Sequence, residues 1–144
     1  MNTEELLEKI ASFNAISHTQ QRQGFKTRLK NLVVRMNKES LRSNDWRSLE
    51  RQGYAKLLKI EDHFVDNLCR ELSQTQRDEA WTLIQDVRRW ISDDFATVAS
   101  AAYKHRLEAK AAKLDREMRQ GRFPADESIM KELKVHGCGN GAWQ

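Results

Sequence analysis

The sequence predicts an all-α fold, an elongated helical hairpin or bundle with one very long C-terminal helix and coiled-coil-like packing. Three observations carry this. Residues 54–120 contain neither glycine nor proline, the two residues that most often interrupt a helix. Apolar residues recur at spacings of three and four almost throughout, the period of a helix face. Six glycines and one proline in 144 residues leave too few tight turns for an all-β chain. The expected organisation is a single helical domain over 1–144. Within it, 1–42 form N-terminal helices, 44–121 a long hairpin, and 122–144 a short helix and flexible tail.

The first helix is expected from Thr3 as N-cap. Glu4 and Glu5 then sit in the first turn, where the helix dipole favours negative charge, and Leu6, Leu7, Ile10 and Phe13 form the apolar stripe. The polar stretch from Ser17 to Gly24 predicts a break. A second helix should run from about Phe25 to Leu41, with Phe25, Leu29, Leu32, Val33 and Met36 on one face. Ser43 or Asn44 would cap a third helix over Trp46–Leu72, with Trp46, Leu49, Leu57, Ile60, Phe64 and Leu68 on its core side and Tyr54, Leu58 and Val65 widening it. Gly53 interrupts that helix at a cost of about 1 kcal/mol relative to alanine, as a kink or a close crossing would require.

Thr75 and Asp78 resemble a capping box, opening a fourth helix over about Gln76–Gln120. Ile84, Val87, Ile91, Phe95, Val98 and Ala102 keep a 3-4 seam, which Leu107, Ala111, Leu114 and Met118 resume after a phase slip near Tyr103. Gly121 stops the helix and Pro124 prevents its resumption. A short closing helix over Asp126–Val135 and a glycine-rich tail ending near Trp143 complete the chain.

Charge is banded. Residues 18–59 hold eleven Lys/Arg against three acids, residues 60–102 four against nine, and residues 103–122 seven against three. Such bands suit either a nucleic-acid surface or pairing with an opposite band, within the fold or across a homodimer. Arg28, Arg35 and Arg42 repeat every seven residues with Lys38 beside them, a row that suits phosphate neutralisation. Lys104, Arg106, Lys110 and Lys113 head a second basic zone. These eight are the candidate contacts to a DNA or RNA backbone.

Leu83, Val87 and Trp90 form a second apolar strip on the fourth helix, away from Trp81. Either the N-terminal helix covers it or a protein partner does, tryptophan being favoured at interface hot spots; the strip is the candidate partner-binding site.

Enzymatic signatures are missing. No phosphate-binding glycine loop, nucleophile elbow or zinc-spaced cysteine pair occurs, and no catalytic residue, metal site or cofactor is expected. Glu132, His136 and Cys138 are too few for a metal without further ligands. Glu61, Asp62 and His63 are consecutive and point about 100° apart on a helix, so they do not converge. Cys69 and Cys138 read as free thiols of a reducing, cytoplasmic compartment. No membrane-length apolar run is present.

Leu114, Met118 and Gly121, followed by Leu133 and His136-Gly137, resemble the C-terminal part of the Gam-type host-nuclease inhibitors of bacteriophages. Those are small helical dimers that block a bacterial recombination nuclease. They are more acidic than this basic chain, which is not assigned to that family. The resemblance implies an alternative function, a small helical inhibitor or adaptor of mobile-element origin that blocks a larger host complex. The leading expectation is a non-enzymatic regulatory or accessory protein contacting nucleic acid through basic helical faces.

Overall fold

The computed structural model describes residues 1–121. The expected closing helix, the Glu132–His136–Cys138 group and Trp143 lie outside the described residues. The chain divides into two compact units, 1–100 and 101–144. The division falls inside a helix and not at residues 42–44 or 121–122.

Every regular element among the described residues is helical: α1 (Thr3–Ser12), α2 (Thr19–Ser40), α3 (Trp46–His63), α4 (Gln74–Trp90) and α5 (Ala96–Arg119). A π-helical turn, Phe64–Leu68, and a 3₁₀ turn, Cys69–Glu71, extend α3, and a second π turn, Ile91–Phe95, joins α4 to α5. The helical path therefore continues without a break from Gln74 to Arg119.

Caps set the starts, and four differ from expectation. Asn2, not Thr3, caps α1, its side-chain oxygen accepting from the Glu5 backbone N–H at 2.8 Å. This frees the Thr3 hydroxyl for a tertiary contact. The break expected within residues 17–24 falls earlier, at residues 13–18, and α2 already starts at Thr19. His18 Nδ1 accepts from the Gln21 backbone N–H at 3.3 Å, and the helix passes through Gly24, which faces open space. Asp45 caps α3 through Ser48 N–H at 3.1 Å. The capping box at α4 is Ser73 with Gln76, not Thr75 with Asp78. Gln76 N–H donates to Ser73 Oγ at 3.2 Å, and Ser73 N–H to Gln76 Oε1 at 2.8 Å.

In the first unit α1 packs on α2 and α4, and α2 on α3, while α3 also meets α4 and the second π turn. The N-terminal helices are thus walls of one core and not attachments to a hairpin. Phe13, Phe25 and Phe64 form a tilted aromatic run with centroids 5.4 and 5.7 Å apart, and Trp90 lies 6.0 Å from Phe95. Gly53 marks a close crossing: a Cβ there would stand 2.5 Å from the Met36 sulfur on α2.

The π turns correct a phase error. Ile60, Phe64, Leu68 and Leu72 are all buried at spacings of four, as are Val87, Ile91, Phe95 and Ala99. In an α-helix each step of four overshoots a full turn by roughly 40°. A turn closed by i→i+5 bonds takes an extra residue and absorbs that overshoot. Hence Ala99, not Val98, continues the seam, and Val98 is exposed. Leu58 and Val65, expected to widen the core, are exposed as well.

In the second unit, Leu107 and Leu114 are buried, Tyr103 and Ala111 are half-buried against them, and Met118 is exposed. Among the described residues no helix is long and apolar enough to cross a membrane.

Candidate nucleic-acid interface

The antiparallel run of α2 into α3 follows from the short connection at residues 41–45 and the crossing of Met36 on Gly53. It brings Arg28 and Arg35 of α2 opposite Lys56 and Lys59 of α3. These four cations, with Asn31, Leu32 and Ile60, line a groove of about 320 Å³. Leu32 and Ile60 form its floor, being 5% and 7% exposed. No acidic side chain lines it, and among the described residues no ion pair involves any of the four cations.

Arg28 and Arg35 are therefore brought together as the sequence spacing suggests. Lys38 is exposed on α2 but roughly 60° around the helix from Arg35, and it does not line the groove. Arg42 lies beyond the end of α2, in a turn where its backbone N–H donates to Glu39 O at 3.2 Å. The repeat of seven loses its meaning where the helix stops. Lys56 and Lys59 were missed by sequence reasoning. Their signal is their position flanking Leu57 and Ile60, one step round from the buried face.

The acidic band does not neutralise this groove. Among the described residues its two inter-helix ion pairs use other cations: Lys9 on α1 meets Asp86, and Arg88 meets Glu61 at 2.5 Å. Arg88 also donates to Gln85 Oε1 at 2.7 Å, which fixes the guanidinium over α3. His63 sits against Asn67, Nδ1 to Nδ2 3.1 Å, and so does not join Glu61 in any site. Among the described residues no three His, Cys, Asp or Glu side chains group closely enough to hold a metal ion.

In the second unit the other basic zone divides. Arg106, Lys110 and Lys113 fall within roughly 60° of one another around α5, whereas Lys104 lies on the opposite side. The Arg106 guanidinium stands 5.7 Å from the Tyr103 ring centroid and is half-buried. Lys104 and Lys113 are exposed.

The strip of Leu83, Val87 and Trp90 is not a free surface. All three are at most 2% exposed, because α1 covers them. The Trp90 indole N–H donates to Thr3 Oγ1 at 3.0 Å, a partner available only because Asn2 does the capping. The expectation that these residues bind a partner is corrected accordingly. Trp81, on the other side of α4, is 41% exposed.

No protein-family model, curated protein or solved structure matches this chain. Of the residues that resemble the Gam-type inhibitors, Leu133, His136 and Gly137 lie outside the described residues.

Proposed function

We propose that this protein is a non-enzymatic accessory or regulatory protein that contacts the phosphate backbone of nucleic acid through the α2–α3 groove. The observation that carries the reading is the convergence of Arg28, Arg35, Lys56 and Lys59 on one concavity without an acid among its lining residues. Four like charges held together at a surface repel one another, and a polyanion relieves that repulsion while releasing its own counterions. Such contacts position a ligand without reading sequence. Arg106, Lys110 and Lys113 offer a second, less basic stripe on α5, since Glu117 falls within the same arc.

Retention on a heparin or DNA column at two salt concentrations tests the reading. The parent should be held at low salt and released at moderate salt. Reversal of all four charges to glutamate should abolish retention while leaving the circular dichroism spectrum unchanged. A folded quadruple variant that is retained like the parent sinks it.

Self-association and coiled-coil-like packing of the long helix remain part of the proposal. Sedimentation equilibrium reads them separately, and a strict monomer removes them without touching the groove. The alternative of an inhibitor or adaptor for a larger complex no longer has Leu83, Val87 and Trp90 as its anchor.

A further inference from the structure

We infer that the α2–α3 groove takes the sugar-phosphate backbone of a double-stranded nucleic acid, not of a single strand. The inference rests on the nucleic-acid reading above and adds the strandedness of the ligand.

Two features of the groove point this way. The first is what it lacks. Sites that hold single strands pair a basic track with aromatic side chains on which unpaired bases stack, each stacked base contributing about 1–3 kcal/mol. The lining of this groove is four cations, one amide and two aliphatic side chains. Tyr54, the aromatic residue nearest in sequence, is half-buried against the core and lies roughly 160° around α3 from Lys56. Phe25 and Phe64 are 3% and 1% exposed and packed on each other, with centroids 5.7 Å apart. None of the three lines the groove. A single strand laid here would leave its bases in water, whereas a duplex keeps its bases stacked on each other and offers only phosphate and sugar.

The second feature is the density of charge. Arg28 and Arg35 are seven residues apart on α2, about 10.5 Å along the axis. Over that length one strand of a B-form duplex presents about three phosphates, one per 3.4 Å of axis. Lys56 and Lys59, about 4.5 Å apart on α3, face the same span from the other wall. Four cations thus meet about three closely spaced phosphates of a stacked strand. Each contact releases more counterion from a duplex, about 0.9 against about 0.7 for a single strand, so the same four cations gain more from a duplex. The aliphatic floor, Leu32 and Ile60, suits the deoxyribose or ribose face between successive phosphates.

The test is a fluorescence-anisotropy titration of the full chain with short mixed-sequence DNA and RNA duplexes and with each of their strands alone. Salt is varied for every probe. At equal salt, at least one duplex should bind about tenfold tighter than either of its strands. The plot of log affinity against log salt for that duplex should become shallower by about 3 to 4 in the R28A/R35A/K56A/K59A variant. Single strands bound as tightly as both duplexes would overturn the inference while leaving backbone contact intact. No binding to any of the probes at low salt would overturn backbone contact and this inference together. Because all four side chains lie at the surface, an unchanged far-ultraviolet spectrum of the variant separates lost contact from lost fold.

Discussion

The two grooves of the first unit differ in what their charges do. Between α1 and α4 a cavity of about 420 Å³ is lined by Lys9, Phe13, Thr75, Asp78, Glu79, Thr82 and Leu83, so both signs are present. Lys9 meets Asp86 beside it, and Lys26 of α2 closes on the Ala11 carbonyl at 2.5 Å. Between α2 and α3 only cations occur. On the first side Lys9 is paired across helices and holds α1 to α4; on the second, among the described residues, none of the four cations has an ion-pair partner. A local excess of basic residues is therefore not evidence of a binding surface until its partners have been located.

The comparison can be broken first at Trp90. Trp90→Ala removes the largest side chain beneath α1 and orphans the Thr3 contact, so denaturant unfolding should register a loss of about 3–5 kcal/mol. A variant of parental stability would mean that α1 does not cover this strip. Lys9→Met comes next. It leaves Asp86, 8% exposed, without its cation, and the expected loss is about 1–3 kcal/mol. The matching change in the other groove, Lys56→Met, should move stability by no more than about 0.5 kcal/mol while weakening duplex binding. If Lys56→Met destabilises as much as Lys9→Met, the four cations are structural and the contrast disappears.

A finer comparison, with changes in the opposite direction, concerns the two helical glycines. Gly24→Ala, with open space around it, should stabilise α2 by about 1 kcal/mol. Gly53→Ala gains the same helix preference but must displace the Met36 thioether, so its net change in melting temperature should be smaller than that of Gly24→Ala. Equal shifts for the two would show that the crossing tolerates a methyl group freely.

Most of the fold was legible, because the apolar period is uninterrupted where the helices are longest. Phe25, Leu29, Leu32, Val33 and Met36 share one buried face, as their spacing predicts. What was misread depends on contacts that periodicity does not carry. His18 is an uncommon cap, so the polar start of α2 resembled a loop. The π turns shift the buried register from Val98 to Ala99, and a single-residue change of pitch leaves no compositional mark. Periodicity leaves the cover of Trp90 open between the N-terminal helix and a partner, because that cover lies more than eighty residues away, at Thr3.

The candidate site was half legible. The Arg28–Arg35 repeat is visible on a helical wheel. Lys56 and Lys59 emerge only when α3 is folded back antiparallel on α2. Arg42 fell out because the helix ends at Ser40.

The seat of Met36 has a chemical consequence. Its sulfur lies against bare glycine backbone, at a side chain only 2% exposed, with no room for an added oxygen. Peroxide should reach that thioether only when α2 lifts away from α3. The rate at which Met36 gains sixteen mass units in dilute peroxide, set against exposed Met1 and Met118, would then clock how often the two basic walls come apart.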